Sequence, residues 1–223
     1  MTVILVLSIF LAFIVLDSVL NFRKAIVTVP LQAHAPASGG EYVDGFLVPE
    51  ALSYHAGHTW LLRDPAGIAR VGADEFAAAL AGKIEQISLP SPGDLIRQGQ
   101  RIISFLRNGQ KTEMVSPVEG QVVDVNADVV RDPALLRQDP FGKGWLLSVR
   151  PADEESSARN LLPKGLVREW MRESVERLYG RQPQFAGAVA ADGGRPADDL
   201  VAALPGVDWQ QVTGEFFLTG ERG

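Results

Sequence analysis

His55 and His58 have the spacing of half a metal site, since two imidazoles three residues apart can reach one ion. The other half is missing: the chain has no cysteine, and no carboxylate converges on the pair in the sequence, so no metal is expected. The absence of cysteine also excludes disulfides, thiolate nucleophiles, Cys-ligated zinc and iron–sulfur clusters. Glu119, Asp132 and Asp139 are the nearest approach to an acid cluster, and they read as helix caps and solvated surface. A Gly-rich phosphate loop, a Ser/His/Asp order and a paired-acid motif are all lacking. No catalytic residue is therefore assigned, and the chain is not expected to be an enzyme. Its 21 Lys and Arg against 27 Asp and Glu give a net charge of −6, and no basic run exceeds two residues. That argues against nucleic acid as a partner, because backbone binding needs clustered cations to displace counterions.

The elements that would position these residues are mostly strands. With 46% hydrophobic and 22% charged residues over 223 positions, most of the chain should fold. Trp60-Leu61-Leu62-Arg63 and Ile68-Ala69-Arg70-Val71 flank the turn tetrapeptide Asp64-Pro65-Ala66-Gly67 and predict a hairpin. Asp74 to Ala81, with acids in the first turn and Gly82 behind it, predicts a helix. Short strands follow at Ile84–Leu89 and Ile102–Arg107. Asn108-Gly109 is the strongest short hairpin signal in the chain, because a type I′ turn needs positive φ at both central residues. Gln110–Val115, Gln121–Asn126 and Trp145–Val149 read as strands, and Asp132 to Gln138 as a short helix. A weak internal repeat pairs a turn with a short apolar strand at Pro92–Ile96 and again at Pro117–Val123, which suggests a flattened barrel-sandwich with quasi-two-fold symmetry.

Tyr54-His55-x-x-His58-Thr59-Trp60, Val71-Gly72-x-x-x-Phe76, Leu89-Pro90-x-x-Gly93, Ser116-Pro117-Val118-x-Gly120-x-Val122-Val123-x-Val125-Asn126 and Asp132-Pro133-x-Leu135-Leu136-x-Gln138-Asp139-Pro140-x-Gly142-x-Gly144-Trp145-Leu146 stand in one order. Together they resemble the glycine cleavage system H protein family over about residues 52 to 151. The resemblance implies a mainly β fold with some α (α+β), a lipoyl-domain-like hybrid barrel-sandwich. It also implies a lipoyl-lysine that swings between partner enzymes of glycine decarboxylation. In the family that lysine sits at the tip of the central hairpin, eight positions before the proline of the Ala/Ser-Pro-x-x-Gly block. Counting back from Pro117 reaches Gly109, which has no amine to acylate. Lys111, two residues past the tip, is the nearby alternative for lipoate, and otherwise a solvent-facing strand lysine beside Arg101 or Arg107. The expectation is no bound cofactor.

The two ends of the chain differ from this middle. Val3 to Leu16 is apolar without interruption and continues through Val19, Leu20 and Phe22, with Asp17 the one charge before Arg23. About twenty such residues cross a hydrocarbon core, so residues 1–24 read as a single transmembrane helix anchoring the protein through residues 3–22. Arg23-Lys24 then place the folded head in the cytoplasm, at the inner or cytoplasmic membrane. Residues 25–48 read as a flexible linker, 49–152 as the barrel-sandwich, 153–180 as an amphipathic helix packed on it, and 181–223 as a connector with short helices. Leu161 to Tyr179 carries the amphipathic stripe, Leu166, Val167, Trp170, Met171, Val175 and Leu178. Trp209, Phe216 and Phe217 have little core of their own near a chain end and are candidate interaction residues, which must fold back on the head or dock elsewhere. The expected function is a membrane-tethered, non-lipoylated binding or scaffold subunit with protein partners; the alternative is a lipoyl carrier using a displaced lysine.

Overall fold

The structure is a computed structural model that describes residues 39–153, 158–181, 199–204 and 206–220. The expected anchor, residues 1–24, lies outside the described residues, as does most of the 181–197 connector. Among the described residues no helix is long and apolar enough to cross a membrane.

Among the described residues, eleven short strands build three antiparallel sheets. β1 (Gly40–Val43) and β2 (Phe46–Pro49) form a two-stranded ribbon. A six-stranded sheet has the order β3 (Ser53–Tyr54), β4 (Thr59–Arg63), β5 (Ala69–Ala73), β11 (Leu147–Pro151), β10 (Gly120–Val125), β7 (Leu95–Ile96). A three-stranded sheet has the order β6 (Gln86–Ser88), β8 (Arg101–Arg107), β9 (Gln110–Val115). Period-two alternation sets the faces of this last sheet. Ile103, Phe105 and Met114 are fully buried, while Lys111 and Glu113 of β9 point outward.

Helix α1 (Glu75–Ala81) starts where expected, because the Asp74 carboxylate accepts the Ala77 N–H at 2.8 Å. It ends at Gly82, whose φ of 67° a side chain would resist. Its alanines lie flush with the core. α2 (Ala127–Arg131) and α3 (Ala134–Gln138) follow β10. α4 (Val167–Tyr179) buries Val167, Met171, Val175 and Leu178, and α5 (Trp209–Phe216) closes the described chain.

Four boundaries differ from the expectation, each for a local reason. The folded head begins at Gly40, not Pro49, so part of the expected 25–48 linker is sheet. Asp44-Gly45, at φ 47° and 88°, is a two-residue turn between Val43 and Phe46, the same signal as Asn108-Gly109. α2 is additional, capped by the Asn126 side chain, which accepts the N–H groups of Asp128 and Val129. The amphipathic helix starts at Val167 rather than Leu161: a 3₁₀ turn at Lys164–Leu166 follows Pro163, and Leu166 is 56% exposed instead of lying on the apolar stripe. Within the expected connector with short helices at 181–223, residues 199–204 form turns and the helix is α5.

Trp209, Phe216 and Phe217 are not a free docking face. They are 5%, 1% and 0% exposed and belong to the core of the head. Phe216 meets Phe76 edge-on at 5.1 Å, and Phe217 meets Phe105 at 6.4 Å. Burying such rings against their own barrel removes far more apolar surface from water than leaving them exposed for a partner.

Candidate functional site

The β8–β9 hairpin is where the resemblance places a lipoyl-lysine, and its tip is a tight two-residue turn. Asn108 and Gly109 have φ of 49° and 74°, as the type I′ geometry requires. A Cβ at Gly109 would meet nothing within 4 Å, so what favours glycine there is backbone conformation and not crowding. The side chain that could carry an acyl arm is absent from the tip.

The residues on either side of the tip are held by the rest of the molecule. Arg107 forms a forked ion pair with Asp199, at 3.1 and 2.9 Å, and also donates to the Ala81 carbonyl at 3.2 Å. Its guanidinium lies 5.8 Å from the centre of the Trp209 ring, whose Nε1 donates to the same Ala81 carbonyl. A Cβ at Gly82 would come within 2.5 Å of Arg107 Nη1 and 2.6 Å of the Asp199 carboxylate, both movable side-chain ends, so it is the φ of 67° that favours glycine there. Asn108 N donates to Glu85 at 3.0 Å.

Lys111 is 58% exposed and its Nζ lies 2.8 Å from Glu113 Oε1. It faces solvent, with its ammonium beside Glu113; across the ladder its register partner is Leu106, not Arg101 or Arg107. An exposed pair of this kind contributes about 0–1 kcal/mol. The backbone of β9 is more firmly engaged: Gln210 Nε2 donates to the Lys111 carbonyl at 3.0 Å, and Thr219 Oγ1 to the Glu113 carbonyl at 3.1 Å. Arg101 returns a bond to the Thr219 carbonyl at 2.7 Å. An open groove of about 920 Å³ runs between β9 and α5, lined by both signs of charge, Arg101, Lys111, Glu113, Asp208 and Glu215.

The two histidines brace the fold. His58 is fully buried, its Nδ1 2.8 Å from Asp74 Oδ2, with its ring stacked against Phe76 at 4.5 Å and close to Trp170 at 4.4 Å. Asp74 thus serves the helix cap with one oxygen and the imidazole with the other. His55 Nδ1 accepts the Gly57 N–H at 3.0 Å, and burial, helped by His58, pushes its proton affinity down. Burial raises the Tyr54 phenol pKa, with the charges of Asp74 and Glu75 adding to it, and its hydroxyl donates to the Pro49 carbonyl. No group of three or more metal-binding side chains occurs among the described residues. Asp132 and Asp139 accept the N–H groups of Ala134 and Lys143, and Glu119 is exposed at a turn.

Comparison with known proteins supplies the family. The family model described as glycine cleavage H-protein matches residues 52–174, over half of the chain. This chain belongs to the glycine cleavage H-protein family. The glycine cleavage system H protein of Streptomyces avermitilis is 38% identical over 106 residues, 48% of this chain and 85% of that one. That of Thermobifida fusca is 39% identical over 107 residues, 48% and 84% of the two chains. Among solved structures, the H protein from Mycobacterium marinum is 30% identical, covering 50% of this chain and 96% of that one, with a TM-score of 0.44.

Within the H-protein match lie α1, the β8–β9 hairpin, both histidines and the start of α4; the β1–β2 ribbon and everything from Val175 onward lie outside it. Ala81 and Glu85, which hold the hairpin near its tip, lie inside the match, whereas Asp199, Trp209, Gln210 and Thr219 come from sequence the family model does not match. The Arg107–Asp199 pair joins residues 92 apart and leaves no local signature in the sequence. The apolar spacing of Trp209, Phe216 and Phe217 was the one available signal that this segment packs on something.

Proposed function

We propose that this chain is an H-protein-like binding subunit that carries no lipoyl arm and has no catalysis of its own, with its barrel-sandwich serving protein partners as a rigid surface. One observation carries the reading: the tip of the hairpin, where the resemblance puts the acylated lysine, is a glycine in a turn whose geometry suits glycine. An arm needs a nucleophilic amine at the point presented to the attaching enzyme, and Gly109 offers none. Lys111 is the amine of the alternative reading, a lipoyl carrier with a displaced attachment point. Against it, Lys111 sits on the strand and not on the turn, and its ammonium is engaged by Glu113. The apolar run from Val3 to Phe22 supports tethering the subunit to the cytoplasmic membrane, which would keep it beside membrane-bound partners.

The test is the intact mass of the protein isolated from its own host. Acylation by lipoate adds about 188 Da to a chain; the expected mass is that of the unmodified polypeptide. A mass raised by a lipoyl group, mapped to Lys111, would replace the binding subunit with a working carrier. Lys111→Ala is expected to leave unchanged the set of proteins that co-purifies with the chain.

A further inference from the structure

The described residues 199–204 and 206–220 form a strap across the outside of the β8–β9 hairpin. It enters at Asp199, which holds Arg107, and passes α1 where Leu200 N donates to the Ala79 carbonyl at 3.0 Å. It seats Trp209 over Arg107, bonds the Lys111 and Glu113 carbonyls on the free side of β9, and ends with Thr219 held by Arg101. Its own Leu200, Val201, Leu204, Val212, Phe216 and Phe217 are all buried.

We propose that this strap closes the surface around the hairpin in cis, so that an enzyme attaching lipoate, or one serving an acyl arm, has no room to seat there. The inference rests on the reading above and deepens it: the amine is lost and so is access. The scale of the two surfaces decides the point. A specific protein contact covers about 800 Å² on each partner, a disc of roughly 16 Å radius. The strap grips Arg107 and Lys111, each two residues from the tip, about 7 Å along a strand. Any footprint of ordinary size centred on Gly109 therefore overlaps the strap. Because the strap lies outside the part of the chain the family model matches, occlusion is a property of this chain and not of the matched domain.

Restoring the amine separates the two losses. The full chain bearing Gly109→Lys is incubated with a lipoate–protein ligase, lipoate and ATP, alongside the Streptomyces avermitilis H protein as a positive control. The ligase joins the lipoate carboxylate to the α-phosphate of ATP with release of pyrophosphate; the introduced neutral amine then attacks the carbonyl of that adenylate, an amide forms, and AMP and a proton leave. Intact mass reports the gain of about 188 Da. A site open in only a small fraction of molecules reacts in proportion to that fraction, so labelling about 100-fold slower than the control is expected. Adding Asp199→Ala and Trp209→Ala to loosen the strap should speed labelling about tenfold or more. Gln210→Ala, which removes one exposed bond to the Lys111 carbonyl and none of the apolar packing, should speed it less, and keeps the test open if the combined variant does not fold. Labelling of the full-length Gly109→Lys chain at the control rate would overturn the inference, and so would loosened variants no faster than the parent. Either result, with the unsubstituted chain still unmodified, leaves the non-carrier reading standing. A lipoyl group on the unsubstituted chain would end both.

Discussion

At the scale of single residues, the hairpin tip and the histidines carry different kinds of constraint. Gly109 was legible in the sequence, because an Asn-Gly pair between apolar strands states its own turn, and the count from Pro117 states what is missing. His55 and His58 were legible only as a spacing; that one braces α1 through Asp74 and the other closes a turn through Gly57 depends on partners the spacing does not name. His55 also yields a pH dependence with a definite sign. The fold holds its imidazole neutral, with Nδ1 accepting a hydrogen bond that protonation would break. The unfolded chain binds that proton near pH 6.5, so the stability this neutral ring contributes is present above about 6.5 and is lost as the pH falls toward the lowered folded value. Melting temperature is therefore expected to drop on going from about pH 7.5 to about pH 5.5. His55→Asn, which keeps an acceptor but cannot titrate, should show a shallower drop in a thermal shift series.

At the scale of elements, cores of strands and helices are more legible in the sequence than their ends. The β4–β5 hairpin, α1, the β8–β9 hairpin and the strand that became β10 all fall close to where alternation and turn chemistry put them. Errors arose where a short stretch offered few apolar positions. β1 and β2 have four residues each, too few for a period to stand out, although Asp44-Gly45 marked the turn between them. Pro163 and Gly165 delayed the start of α4 in a way the apolar stripe alone conceals. Two substitutions test the packing of particular elements. Trp209→Ala empties a site that is 95% covered and removes the donor to Ala81, and should cost about 3–5 kcal/mol in urea unfolding. Gly72→Ala places a methyl 2.4 Å from the Trp60 ring across the β4–β5 pair. That ring is fully buried and bonded to the Ala73 carbonyl, so overpacking of about 1–3 kcal/mol is expected, read as a lower urea midpoint with an unchanged slope.

For the molecule as a whole, family membership and present form point in different directions. A domain of H-protein type is present, while the position where the resemblance puts the lipoyl-lysine is a glycine and a further segment is bound over its central hairpin. The sequence indicated the first two; the third could not be read, since whether an aromatic-rich tail packs on its own head or on another protein is decided by shape, not by composition. The tether is tested at this scale. Native membranes washed in high salt should retain the protein in the pellet, because an apolar span of about twenty residues is not released by screening charge; recovery in the wash would remove the anchor.

The uncovered side of β9 would otherwise be a row of unpaired peptide groups, an invitation for another β-strand to add itself. A recombinant fragment trimmed to the boundaries of the family match, 52–174, would present that row together with the ring faces of Phe76 and Phe105 that Phe216 and Phe217 now touch. Such a fragment should elute from a sizing column as oligomers and precipitate on concentration, whereas the head with residues 199–220 in place is expected to elute as a monomer. Anyone choosing expression limits for this protein from its relatives alone would thus manufacture an aggregating material and mistake it for the behaviour of the natural one.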